Sequence, residues 1–119
     1  MANTAQNATV VNEQNRSNPE VIAWAHGLTK RFGEQAAVED LSFEIPRGSI
    51  FGFIGPSGCG KTTTVRLLTG IYKPTSGEVQ VMGRRPAQFN KRERRRIGYL
   101  TQNFVLYPDL TVWENMNFA

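Results

Sequence analysis

Residues 55–62 of this 119-residue chain are GPSGCGKT, a glycine-rich loop that ends in a lysine and a threonine. The run before it, residues 50–54 (IFGFI), is almost entirely apolar and has the length of a strand covered on both faces. The run after it, residues 62–72, has apolar residues at helical spacing. The predicted order is therefore strand, glycine loop, helix. The apolar face of the helix comprises Val65, Leu68 and Tyr72, widened by Leu67 and Ile71.

The loop matches the phosphate-binding pattern G-x-x-x-x-G-K-[ST]. Glycines let successive N–H groups surround an anion, and the helix that follows points the positive end of its dipole at the same place. Lys61 supplies a charge that can reach β- and γ-phosphate oxygens, the Thr62 hydroxyl is a hard ligand suited to Mg²⁺, and Thr63 can serve the α-phosphate. A chance glycine turn is the alternative, but the flanking strand and helix are the context that the motif requires. The predicted nucleotide-binding residues are Gly55, Pro56, Ser57, Gly58, Cys59, Gly60, Lys61, Thr62 and Thr63.

The remaining sequence divides into a polar tail and one domain. Residues 1–20 contain almost nothing to bury, so we predict a disordered tail there and a domain over residues 21–119. Alternation predicts strands in residues 21–32 and 41–45, with another over residues 78–83. A helix is predicted over residues 88–96, a buried strand over residues 97–102, and a final helix that begins with a capping box of Thr111 and Glu114.

Composition excludes several classes of protein. One cysteine cannot form an internal disulfide, and no apolar run approaches the roughly 18 residues of a membrane span.

The net charge of +4 is concentrated in residues 84–96, which hold seven of the 14 Lys and Arg residues. Because no aromatic side chains alternate with these cations, a solvated helical face is favoured over a nucleic-acid site. His26, the one histidine, is predicted to lie at the surface.

Several segments beyond the loop share a resemblance to one family. LTKRFGEQAAVEDLSFEIPRGSIFGFIGPSGCGKTTTVRLLTGIYKPTSGEVQVMG and RRRIGYLTQNFVLYPDLTVWENMNF occur in order within residues 22–118. They resemble the N-terminal portion of the nucleotide-binding domain of ATP-binding cassette (ABC) transporters. In their general sequence character they are most similar to exporter-type ATPase subunits. The resemblance implies an α/β fold of the P-loop NTPase class, with an ABC-type ATPase core and an antiparallel β subdomain, incomplete at the C-terminus.

The resemblance implies further site residues and the ligands ATP and Mg²⁺. Phe32 would stack on adenine, although an ordinary core phenylalanine is the alternative. Gln102 would reach Mg²⁺ or the attacking water, unless it is a solvated loop residue. Together with Lys61 it would form the catalytic set, and with Thr62 the metal ligands.

The same resemblance implies partners and a location. Residues 103–108 would face an integral membrane permease, with the apolar side chains of residues 104–107 either forming that contact or packing against the next helix. A second ATP-binding domain would complete a dimer. The expected location is cytoplasmic, peripheral at the inner face of the cell membrane, and no nucleic-acid partner is expected.

The resemblance also shows what the 119 residues do not contain: the signature LSGGQ, the Walker B carboxylates, the D-loop and the switch histidine. We therefore expect this piece to bind nucleotide without useful hydrolysis, to belong to a longer chain, and to leave the strand over residues 50–54 partly uncovered. Two alternatives remain open: a soluble ABC-type ATPase that acts on nucleic acid or the ribosome, and a truncated, non-enzymatic nucleotide-binding fragment.

Overall fold

The computed structural model describes residues 20–103 and 106–118. The polar tail predicted for residues 1–20 lies outside this part of the chain, apart from Glu20. The elements in chain order are β1 (Val21–Phe32), β2 (Gln35–Pro46), α1 (Lys61–Leu68), β3 (Ser76–Val81), a 3₁₀ turn (Pro86–Gln88), α2 (Lys91–Arg94) and α3 (Val112–Phe118).

The three strands form one antiparallel sheet in the order β2-β1-β3, which confirms the predicted antiparallel part of the fold. Its central strand, β1, is irregular: the register shifts between Ala25 and Leu28, where Gly27 has a φ of 56°. A bulge of this kind changes which face successive side chains occupy. Ala25 and Leu28 therefore both lie in the core, although strict alternation would place them on opposite faces.

The hydrophobic core lies between the sheet and α1. Leu28 and Leu67 are fully buried in it, and Thr64 is the buried polar side chain of the helix, with its hydroxyl donating to the Gly60 carbonyl at 2.8 Å. The predicted apolar face is confirmed for Leu67, which is fully buried, and for Leu68 and Tyr72, which are partly buried and pack against the core. Val65 is only partly buried, and the prediction did not include Thr64. Helix α1 ends at Leu68, so Tyr72 is not on it. The core residues are Ala25, Leu28, Val38, Phe43, Leu67 and Val79.

Two predicted strands are absent from the described structure. Residues 50–54 form no strand, and Ile50 and Ile54 are 104% and 88% exposed. Residues 97–102 form none either, and Leu100 is 96% exposed. A strand needs neighbouring backbone to satisfy its N–H and C=O groups, and no other part of the described chain pairs with these two runs. Residues 50–54, which were predicted to be a partly uncovered strand, are thus an apolar segment without strand geometry, in which Phe53 packs against the core and the two isoleucines are exposed.

Side-chain capping defines the two later helices. In α2, Asn90 accepts from the N–H groups of Arg92 and Glu93, and the Glu93 carboxylate accepts in return from the Asn90 N–H at 2.7 Å. Because Asn90 caps α2, the helix begins at Lys91 rather than at residue 88 as predicted. It ends at Arg94, so it is only four residues long. The capping box predicted at the start of α3 is confirmed: the Thr111 N–H donates to the Glu114 carboxylate at 2.8 Å, and the Glu114 N–H donates to the Thr111 hydroxyl at 3.2 Å.

Candidate functional site

The glycine loop lies between the exposed segment and α1, with left-handed backbone at Gly58 (φ 81°) and Gly60 (φ 97°). Gly60 is the residue before α1, so no side chain there caps the first N–H groups of the helix. A Cβ on Gly60 would overlap the Ala37 carbonyl oxygen of β2 and lie 3.1 Å from Val38 Cγ2. The loop therefore packs closely on the sheet at the point where the helix begins.

The ammonium group of Lys61 lies inside this loop. Its Nζ donates to the Gly55 carbonyl, and to the Pro56 carbonyl at 2.9 Å. The same Nζ lies 3.7 Å from the half-buried Sγ of Cys59. The loop thus curves around a positive charge that neutral carbonyls hold in place, and an anion entering the loop would meet that charge directly.

A cavity of about 560 Å³ connects the loop with two distant parts of the chain. It brings Phe32 of β1 and Gln102 of the later coil, the two residues that the family resemblance adds to the site, to the same space as the loop. Among the described residues that line it, Lys61 alone is charged. The lining residues are Phe32, Gln35, Ala36, Ala37, Ser57, Gly58, Gly60, Lys61, Thr62, Thr63 and Gln102.

Three predicted loop residues, Gly55, Pro56 and Cys59, do not line the cavity. All three contact the Lys61 ammonium. Conversely, Gln35, Ala36 and Ala37 line the cavity and were missed by the sequence analysis. They are the first residues of β2, and neither the two alanines nor a single glutamine matches a motif that would mark them as site residues. The close approach of Gly60 to Ala37 is the structural reason that they lie there.

The Phe32 ring stands at the end of β1 and is 47% exposed, so it is not the core phenylalanine considered as an alternative. Its centroid lies 5.2 Å from that of Tyr72, with an interplanar angle of 72°. The Lys30 ammonium lies 5.1 Å from the Phe32 centroid. The exposed part of the Phe32 ring is available for stacking with a planar ligand.

Two residues that line the cavity, Thr62 and Gln102, carry oxygen atoms that could bind a cation. Thr62 and Gln102 are both exposed, and both also line a second, adjoining cavity of about 920 Å³. Within residues 20–103 and 106–118 no three His, Cys, Asp or Glu side chains are grouped as metal ligands. A hydroxyl and an amide oxygen suit Mg²⁺, which keeps several waters and binds phosphate oxygens.

The segment after Gln102 is partly described. Leu106 and Tyr107 are 64% and 50% exposed, and Phe104 and Val105, the other apolar residues predicted there, lie outside the described residues. Asn115 of α3 fixes the backbone here: its side chain accepts from the Tyr107 N–H at 2.8 Å and donates to the Tyr107 carbonyl at 3.2 Å. The Leu106 and Tyr107 side chains are therefore at the surface rather than buried against α3.

The cationic residues 84–96 lie at the surface of α2 and the turns before and after it. Arg84 forms an ion pair with Glu93 at 2.9 Å, and Arg85 pairs with Glu78 at 3.6 Å. His26 is exposed, as predicted, and is paired with Glu78 in the sheet register. The exposure and ion pairing of the cations in residues 84–96 agree with the predicted solvated charged face. No helix in the described residues is long and apolar enough to cross a membrane.

Comparison with known proteins gives a consistent result. The family model for the ABC transporter matches residues 38–119. A probable multidrug ABC transporter ATP-binding protein, YbhF of Escherichia coli, is 41% identical over 83% of this chain and 17% of its own length. A spermidine/putrescine import ATP-binding protein, PotA of Rubrobacter xylanophilus, is 43% identical over 98% of this chain and 30% of its own.

Solved structures agree with the sequence relatives. An ATP-binding subunit of an ABC transporter superposes with a TM-score of 0.69 at 30% identity, covering 82% of this chain and 40% of its own. A dimeric ATP-binding cassette bound to ADP and phosphate superposes with a TM-score of 0.64 at 30% identity, covering 78% and 44%. The chain thus spans less than half the length of each of these four proteins. These matches confirm the predicted P-loop class of fold, and this chain belongs to the ABC transporter family.

Proposed function

We propose that this chain binds MgATP as the nucleotide-binding part of a transporter ATPase subunit. The observation that carries the proposal is a single cavity into which β1, the glycine loop and the coil around Gln102 all project. Loop N–H groups and Lys61 would hold the β- and γ-phosphates, and Thr63 would serve the α-phosphate. Phe32 would hold the adenine against its exposed face.

The donor set fits a magnesium ion that arrives with the nucleotide. Thr62 and Gln102 would hold it, with phosphate oxygens and waters as the other ligands. Bound there, the ion would neutralise negative charge on the phosphates. No Asp or Glu is among the described residues that line the cavity, so no carboxylate base is at hand. We therefore propose that these 119 residues bind the nucleotide without useful hydrolysis. Lys61 and Gln102 would act in catalysis only in a site that also contains a carboxylate base.

The partners form part of the same proposal. Exposed Leu106 and Tyr107, in the segment that follows Gln102 in the sequence, supply apolar surface for a membrane permease. The dimeric cassette among the solved relatives supports pairing with a second ATP-binding domain. A peripheral position at the inner face of the membrane follows from this role. The relatives' names include both multidrug transport and spermidine/putrescine import, so the predicted exporter direction stays a prediction.

Calorimetric titration of the purified chain tests the proposal. We expect MgATP to bind, ADP to compete with it, and omission of Mg²⁺ to weaken the binding. Thr62→Val should reduce the effect of Mg²⁺. Ser49→Ala removes an exposed hydroxyl away from the cavity and should leave the effect unchanged. Failure of the folded wild-type chain to bind MgATP would refute the proposed function.

A further inference from the structure

The Phe32 ring is held by residues that the proposed function does not use. Tyr72 meets it edge to face, with ring centroids 5.2 Å apart. The Lys30 ammonium lies 5.1 Å from the Phe32 centroid and 5.7 Å from that of Tyr72, so one cation contacts both rings. The same ammonium donates to the Lys73 carbonyl at 2.9 Å. Phe32 is therefore braced by its own strand and by the turn that follows α1.

Tyr72 is in turn fixed from α1. The Arg66 Nη1 donates to the Tyr72 hydroxyl at 3.0 Å, and the guanidinium carbon lies 5.6 Å from the ring centroid. This hydrogen bond is the main cause that raises the pKa of Arg66 above its usual value. Arg66 lies on the helix whose first residue is Lys61. One helix thus carries the phosphate-binding lysine and supports the aromatic pair.

Tyr72 does not line the cavity that Phe32 lines. It faces the adjoining cavity of about 920 Å³, together with Arg66. The residues that would surround a ligand in the Phe32 cavity therefore do not include Tyr72, and we expect Tyr72 to affect binding through the Phe32 ring. An exposed ring at a strand end loses rotamer freedom when a ligand orders it, and a ring that is already fixed avoids this cost.

We infer that Tyr72, held by Arg66 and Lys30, is a positioning residue that fixes the Phe32 ring for the nucleobase. This inference rests on the proposed function. It assigns nucleobase affinity to a cluster outside the binding cavity, and it couples that affinity to α1. Phosphate affinity does not depend on the cluster, because the loop and Lys61 are formed by other contacts.

The test compares two ligands, MgATP and magnesium tripolyphosphate, which has the phosphates and no base. We expect Tyr72→Leu to weaken MgATP binding about two- to tenfold, the range of an aromatic pair contact, and to leave tripolyphosphate binding unchanged. Tyr72→Phe keeps the ring and loses the Arg66 hydrogen bond, so its loss should be smaller. Trp113→Leu removes an exposed aromatic side chain of α3, outside the cavity, and serves as the surface control that should change neither affinity.

A double-mutant cycle separates positioning from a general structural role. In a Phe32→Ala background, Tyr72→Leu should cost nothing further for MgATP, because the ring that it positions is gone. Equal weakening of both ligands by Tyr72→Leu, or additive losses in the cycle, would overturn the inference while leaving MgATP binding intact. Absence of MgATP binding in the wild-type chain would instead overturn the proposed function.

Discussion

Replacement of Lys61 by methionine is the most direct test of the phosphate site. The substitution keeps an unbranched side chain and removes the one charged group among the described residues that line the cavity. A hydrogen bond to a charged group contributes about 1.5–3 kcal/mol, which corresponds to a loss in affinity of about 10- to 150-fold.

The lower part of that range applies here, because Lys61 already has partners. Its Nζ donates to the Gly55 and Pro56 carbonyls, and contacts with phosphate would replace some of these bonds. The net loss on substitution is therefore about 1.5–2 kcal/mol, or about 10- to 30-fold in the dissociation constant for MgATP.

The assay is calorimetric titration at fixed ionic strength, with Lys91→Met as the matched control. Lys91 is an exposed lysine at the start of α2, so its replacement changes the net charge by the same amount at a distance from the loop. Thermal unfolding of both variants would show that each is folded. If Lys61→Met and Lys91→Met bind MgATP equally well, the ammonium does not contact the phosphates and the assignment of the loop is wrong.

Three further predictions concern the loop, the core and α3. Gly60→Ala should abolish MgATP binding and lower the unfolding temperature more than Gly58→Ala does, because both positions have positive φ but only Gly60 approaches β2 closely; equal effects on the two would contradict the close packing. Leu67→Ala should lower the free energy of unfolding by about 2–5 kcal/mol in chemical denaturation, since Leu67 is fully buried; a loss below 1 kcal/mol on the same scale would mean that α1 does not cover the sheet. Hydrogen bonds from Thr111 lower the pKa of Glu114. The ionised carboxylate therefore stabilises the start of α3 fully above the ordinary pKa of a glutamic acid, and this stabilisation is lost as the pH falls through the lowered pKa. Trp113 fluorescence should follow that loss on acidification, and the transition should be absent in Glu114→Gln.

Local patterns predicted the parts of the fold that local physics determines. Alternation predicted β1 and the second half of β2, and it missed residues 35–40. The spacing of Thr111 and Glu114 predicted the start of α3. Apolar content alone could not place residues 50–54 and 97–102, because it indicates a preference for burial without showing which backbone would pair with the run. The buried face of α1 was predicted only in part, because the hydroxyl of the buried Thr64 gives no apolar signal and because the helix ends at Leu68, before Tyr72.

Candidate site residues could be named from the sequence where a residue type suited to phosphate or metal occurs at the spacing of a known motif. The loop motif named Lys61 and Thr62, and the family resemblance named Phe32 and Gln102, which the fold brings to one cavity. The support of Phe32 by Tyr72 was not foreseen. These residues are far apart in the sequence, and their contact depends on how the turn after α1 returns to β1.

The central position of β1 has a consequence for the order of folding. A two-residue turn joins β1 to β2, so this hairpin requires only a short loop closure, whereas β3 pairs with β1 only after the chain that contains residues 55–62 has returned to the sheet. The β1–β2 hairpin should therefore form first, with the glycine loop acquiring its shape late. Amide hydrogen exchange would record this as slow exchange in β1, which is bonded on both sides, and rapid exchange through the loop.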